Sequence, residues 1–274
     1  MVRIRLLLLI GLIAPAALWS QNGAPPGAGA RGSAMGQSGL TFTDIHSIFS
    51  NQAGLAWLPA WAATVSGEQR FLLQEIRSVA AAAAVPTSSG TFGLQLHYFG
   101  FEAYREQKIG LAYARQLLDH FSVGAQFNYL QTRIEEYGSK GVLTFELGLQ
   151  ARVHPSLQLG AHLVSPARVE VAEGEPLPTI LRLGFAYLPS EQLQLLAEVE
   201  KDLDFPIRFR SGIEYKLLPA LALRAGIATA PALATFGIGL RLPKNLQIDL
   251  ASQYHQILGW TPAFSLSYQP NSPE

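Results

Sequence analysis

The 274-residue chain carries twenty basic and twenty acidic side chains, and this zero net charge gives no electrostatic case for nucleic acid. It has no cysteine, which excludes a disulfide framework, a thiolate metal site and a lipidated N-terminal cysteine. Charged residues are 15% of the chain, well under the ~25% usual for soluble domains.

The first element in chain order reads as a leader. Arg3 and Arg5 precede an apolar run from Leu6 to Leu18, followed by Trp19, Ser20 and Gln21. That order of basic, apolar and small residues is a secretory signal over residues 1–20, with cleavage expected after Ser20. The run is too short to span a bilayer as a helix, which takes about 20 residues. Beyond it the longest apolar run, Val79 to Val85, is mostly alanine, so no transmembrane helix is expected. An exported, charge-poor chain without such helices leaves two classes: an outer-membrane β-barrel or a soluble all-β protein.

Next comes a glycine-rich block, GARGSAMGQSGLTFTDIHSIFSNQAGLA, from Gly29 to Ala56. Gly27–Gly32 formally fit GxGxxG, but a dinucleotide loop needs a strand before it, and here Pro25 and Pro26 stand instead. Ile45, Ile48 and Phe49 have helical spacing, with Thr43 or Asp44 as N-cap and Gly54 as the stop.

From residue 61 the period changes to two. Phe121, Val123, Ala125, Phe127 and Tyr129 alternate with small or polar residues, and Leu246, Ile248, Leu250 and Tyr254 alternate with Gln247, Asp249, Gln253 and His255. Such alternation marks strands with one apolar and one polar face. Fourteen segments show it: 61–71, 78–86, 90–100, 107–117, 121–131, 140–153, 156–164, 179–188, 192–202, 206–217, 219–229, 233–243, 245–256 and 261–269. Most connections are short and contain Pro, Gly, Ser, Asp or Asn; 131–140 and 165–179 are the longest. A sandwich would alternate too, but its strands average five or six residues, and these are longer. Tyrosine and phenylalanine also gather near strand ends, among them Tyr98, Phe101, Tyr129, Tyr187, Tyr215, Tyr254 and Tyr268, as a membrane girdle requires. The fold class expected is all-β: an antiparallel transmembrane barrel of about fourteen strands over 61–269, preceded by segment 21–60 and followed by a tail at 270–274. Phe264 and Tyr268 alternate as a barrel-assembly signal should, although six residues follow.

No Walker loop, GxSxG elbow or HExxH is present, and the six histidines lack ligand spacing, so no enzyme, metal or cofactor is expected. Once apolar faces meet lipid, Glu198, Glu200, Arg208, Arg210, Glu214, Lys216, Arg224, Arg241 and Asp249 must point into the lumen. A charge on the lipid face costs about 2–4 kcal/mol at the midplane. These residues would form either a network that stiffens the wall or a surface for an amphiphile's head group.

The glycine-rich block resembles the N-terminal signature of PorV/PorQ-like outer-membrane proteins of the Bacteroidetes, a group related to the FadL long-chain fatty-acid transporters. The matching positions are Ala30, Arg31, Met35 and Gly36, then Asn51, Ala53, Gly54 and Leu55, with Gln52 where that pattern has proline. The phrases LPTILRLGFAYLPSE, FRSGIEYKL, LALRAGIAT and HQILGWTP are similar as well. The resemblance implies a fourteen-stranded barrel with the N-terminal segment folded into the lumen as a hatch. It implies either binding or transport of a hydrophobic or amphipathic molecule, or a non-transporting role in type IX secretion or envelope assembly with secretion-system partners. Outer-membrane lipid is the partner common to both; a periplasmic all-β structural protein is the third reading.

Overall fold

The computed structural model describes residues 29–167, 169–172 and 175–270. The leader, its expected cleavage at Ser20, residues 21–28 of the expected segment 21–60, and residues 271–274 lie outside the described residues.

The alternating segments become strands β1 (Ala62–Gln69), β2 (Arg77–Thr87), β3 (Gly90–Gly100), β4 (Tyr104–Leu118), β5 (Phe121–Ile134), β6 (Gly138–His154) and β7 (Leu157–Val164). A small hairpin, β8 (Glu170–Ala172) and β9 (Glu175–Pro176), follows. The remaining strands are β10 (Ile180–Tyr187), β11 (Leu193–Asp202), β12 (Arg208–Leu218), β13 (Leu221–Ala228), β14 (Leu233–Leu242), β15 (Leu246–His255) and β16 (Gly259–Tyr268). All but the hairpin pair antiparallel with their sequence neighbours, and β1 pairs with β16, closing a fourteen-stranded barrel. Closure leaves no edge strand with unpaired backbone groups, the condition for strands to cross a bilayer. The fourteen expected segments are these fourteen strands.

Two expectations about connections change. The stretch 131–140 is not a loop: β5 and β6 extend through it to a three-residue turn, with Glu136 and Gly138 at positive φ. The stretch 165–179 is a real connection, but its hairpin gives it structure of its own.

The alternation has an inverted sense compared with a soluble protein. Outward positions are apolar and exposed: Phe127 is 69% exposed, Leu143 72% and Ile227 62%. Inward positions are polar or small and buried, with Asp249 at 0% and Glu214 at 3%. In water this arrangement would expose a continuous apolar belt and bury charge, which rules out a soluble sandwich on energetic grounds. In lipid it is the favourable one. Aromatic pairs rim the belt: Trp61 with Tyr268 (5.2 Å) and Phe92 with Tyr113 (5.1 Å) at the edge near the barrel's termini. Tyr254 packs on Trp260 (4.8 Å) at the opposite edge.

Candidate functional site inside the barrel

Residues 29–58 fill the lumen. A short helix, α1 (Gly29–Ala34), leads into a turn and then two 3₁₀-helices, Ile45–Phe49 and Gln52–Trp57. This corrects the expectation of one helix from residue 43 to a stop at Gly54. Asp44 caps the first 3₁₀-helix by accepting the His46 N–H, but Asn51 caps a second by accepting the Ala53 N–H, so Gly54 lies inside it. Glycine is needed there for contact: a Cβ would sit 2.0 Å from the Phe42 carbonyl oxygen.

Two different walls hold this segment. On one side β1–β4 present alanines (Ala62, Ala80, Ala82, Ala84, Ala112 and Ala114) to Ile45, Ile48, Phe49, Leu55 and Leu58. Small wall residues make the room into which the larger lumen side chains pack without voids.

The opposite wall adds polar side chains and glycines to two smaller apolar contacts, Met35 and Phe42 with Ala186 and Leu196, and Ala30 and Ala34 with Ala251 and Ala263. Met35 and Gly36 lie directly on β12 and β13. Gly36 has φ +69°, and a Cβ on it would meet the Ile227 and Ser211 carbonyl oxygens at 2.4 and 2.5 Å. Facing it, a Cβ on Gly226 would come within 2.2 Å of the Gly36 nitrogen. Backbone lies on backbone here, which only glycine on both sides permits. Thr235 Oγ1 fixes the register by accepting from Gly36 N–H and donating to the Ala34 carbonyl, each at 2.9 Å.

Arg31 makes the most extensive contact. Its Nε and Nη2 donate to the two Glu214 oxygens at 3.0 and 2.9 Å, a paired fork, and Nη2 also donates to Gln194 at 3.1 Å. Nη1 pairs with Asp44, and the guanidinium lies 4.3 Å over the Phe42 ring. Burial alone would lower the Arg31 pKa, but Glu214 and Asp44 outweigh it and hold the group above its ordinary value. Arg224 continues the chain, donating to Glu214 and to Asp249 at 2.6 Å each. His46 Nε2 lies 3.7 Å from Asp249 and 3.1 Å from Ser267 Oγ. The network therefore leaves the lumen segment at Asp44 and Arg31, passes over β12 to β15 through Glu214, Arg224 and Asp249, and returns to it at His46.

Two further carboxylates grip the same segment. Glu198 Oε1 accepts the backbone N–H groups of Gly39 and Leu40, both at 2.7 Å. Glu146 accepts from Lys108 (2.6 Å), Gln52 (2.9 Å) and Asn128 (2.9 Å), with His162 Nε2 at 3.2 Å. Gln52, which stands where the resembling pattern has proline, thus contributes an anchor that proline could not. Asn51 Nδ2 donates to the Leu40 and Leu149 carbonyls at 2.9 and 3.0 Å.

Of the lumen residues expected from sequence, Glu198, Glu200, Arg208, Arg210, Glu214, Arg224 and Asp249 are buried on the inner face. Arg241 and Lys216 are not: both sit on inward register at strand ends and are exposed at the rim. The Glu146–Lys108–His162 group and Arg182 escaped sequence reading. Their one signal was parity, since Thr144, Glu146, Gly148 and Gln150 alternate along β6. At the rim near the termini, Arg31, Thr41, Phe42, Leu193, Glu214 and Lys216 help line a cavity of about 190 Å³.

No family model and no curated protein matches this chain. Solved structures do. A TodX deltaS2S3 mutant monoaromatic hydrocarbon channel aligns with TM-score 0.72 over 89% of this chain and 98% of its own, at 14% identity. The Ralstonia pickettii toluene transporter TbuX aligns at 0.69 over 88% and 98%, with 15% identity. A Pseudomonas aeruginosa FadL homologue gives 0.66 over 90% and 99%, with 14% identity. At these identities the likeness is one of fold: the chain is a closed fourteen-stranded barrel of the architecture seen in FadL-type channels.

Proposed function

We propose that the protein is an outer-membrane barrel that binds or passes a hydrophobic or amphipathic molecule, with residues 29–58 as its hatch. The observation that carries this is the inverted wall: an exposed apolar belt surrounds a lumen whose occupant is held by polar contacts on one side. An apolar belt needs lipid, and a packed lumen segment with exchangeable ion pairs is what a closable path for a solute needs. The names of the similar structures, a toluene transporter and a monoaromatic hydrocarbon channel, support an apolar solute. No catalytic step is assigned to any residue. The secretion reading drawn from the N-terminal resemblance has no counterpart among those structures.

The test has two stages. The protein is expected in the outer-membrane fraction, soluble only with detergent, and faster-migrating on a gel before heating than after. Reconstituted in vesicles with a lipopolysaccharide outer leaflet, it is expected to speed entry of toluene or octanol over vesicles holding heat-denatured protein. Recovery of the mature chain without detergent would overturn the membrane reading. A folded barrel that leaves both solutes unaccelerated, yet crosslinks to secreted proteins, would overturn transport in favour of secretion.

A further inference from the structure

On one part of the inner wall three arginines share a single carboxylate. Arg182 on β10, Glu200 on β11 and Arg208 on β12 stand side by side in register, and Arg210 is the next inward residue on β12. All three guanidiniums turn to the one carboxylate. Arg182 Nε donates to Glu200 Oε2 at 2.7 Å, Arg210 Nη2 to the same oxygen at 2.5 Å, and Arg208 Nη1 lies 3.8 Å from Oε1. The neighbouring carboxylates are engaged elsewhere: Glu198 holds the Gly39 and Leu40 N–H groups, and Asp202 accepts the Asp204 N–H. Neither of these acids accepts from the three arginines, which share Glu200 alone. Gln37 of the hatch adds only neutral oxygens, its side chain accepting from Arg208 (2.6 Å) and its carbonyl from Arg210 (3.0 Å).

The second observation is independent of this sharing. Arg208 and Arg210 are 8% and 7% exposed, and the Nε–H of each is buried without an acceptor. A buried guanidinium N–H without an acceptor is unfavourable, and an anionic oxygen group supplies that acceptor with the matching charge. Among anions, a carboxylate or similar oxyanion fits the planar donor fork of arginine.

We infer that Arg182, Arg208 and Arg210 form a binding site for a carboxylate-type oxyanion in the lumen, against the Gln37 turn of the hatch. The inference goes beyond the transport reading and does not depend on it, since an anion can bind whether or not any solute crosses. The oxygen group could belong to a free small anion or to the head of an amphiphile.

Equilibrium dialysis of the detergent-solubilised full-length protein against labelled acetate and labelled octanoate, at low chloride, tests this. One saturable equivalent is expected. Arg208→Gln, which leaves Arg182 and Arg210 on Glu200, is expected to weaken it about tenfold. Glu200→Gln, which removes the competing carboxylate, is expected to tighten it. Unchanged heat-modifiable migration establishes that each variant is folded. Equal affinity for acetate and octanoate would mark a free small anion as the occupant. Tighter octanoate that octanol does not displace would mark an amphiphile head; either result supports the site. No saturable binding of either probe to folded wild-type protein, or equal binding by wild type and Arg208→Gln, would overturn it.

Discussion

The lumen segment, residues 29–58, meets two walls that hold it in unlike ways. Against β1–β4 it buries Ile45, Ile48, Phe49 and Leu55 on a bed of alanine, a contact with no required partner atoms. Against β10–β16 smaller apolar contacts, such as Met35 on Leu196 and Ala34 on Ala251, are joined by directed ones: Arg31 on Glu214, Gly39 and Leu40 on Glu198, His46 near Asp249. Apolar burial is non-directional and weakens only as area is lost. Ion pairs and charge-assisted hydrogen bonds fail when one member is removed, because the other is left buried and unpaired. The alanine side therefore buries the apolar face of the segment, and the charged side fixes its register.

This division can be broken from either side. Removing Glu214 is expected to have the largest effect, because it leaves both Arg31 and Arg224 without their shared carboxylate. Glu214→Gln should cost about 3–5 kcal/mol in reversible urea unfolding monitored in detergent micelles. On the alanine side, Ile48→Ala leaves a cavity in the same packed cluster and should cost about 2–5 kcal/mol in that assay. Combining it with Glu214→Gln sharpens the comparison: costs that add would mean two independent walls, and a marked excess or shortfall would mean one coupled unit. Glu198→Gln keeps the shape but replaces a charged acceptor of two backbone N–H groups, and about 1.5–3 kcal/mol is expected. Smallest is Asp44→Ala, which removes a cap and an exposed-side partner of Arg31 and should cost about 0.5–2 kcal/mol.

The barrel was legible in the sequence because membrane strands write their two faces at period two. Phe127 and Tyr129 outward, with Gln126 and Asn128 inward, spell out that rule on β5. The charged residues on β11–β15 were legible for the same reason. What parity does not carry is height along the barrel axis. Arg241 and Arg224 have the same inward sense, yet one is at the rim and the other deep in the network. Nor does it carry partners: Glu146 gathers Lys108, Asn128, His162 and Gln52 from four separate segments, and no spacing along the chain relates them. Inside the hatch, helical spacing at Ile45, Ile48 and Phe49 was real but local. Asn51 starts a second 3₁₀-helix, and the tight approach of Gly54 to Phe42 shapes the rest.

The most direct test of the central claim uses the absence of cysteine, which makes any single introduced thiol the one reporter. Ser47→Cys places it on the buried hatch, Phe127→Cys on the outer belt and Tyr137→Cys at an exposed turn. In protein reconstituted in lipid, a water-soluble maleimide is expected to label Tyr137→Cys quickly and to leave both others unlabelled. A membrane-permeant maleimide is expected to reach Phe127→Cys while Ser47→Cys stays protected. Rapid aqueous labelling of Ser47→Cys in the folded barrel would contradict a hatch packed inside the lumen.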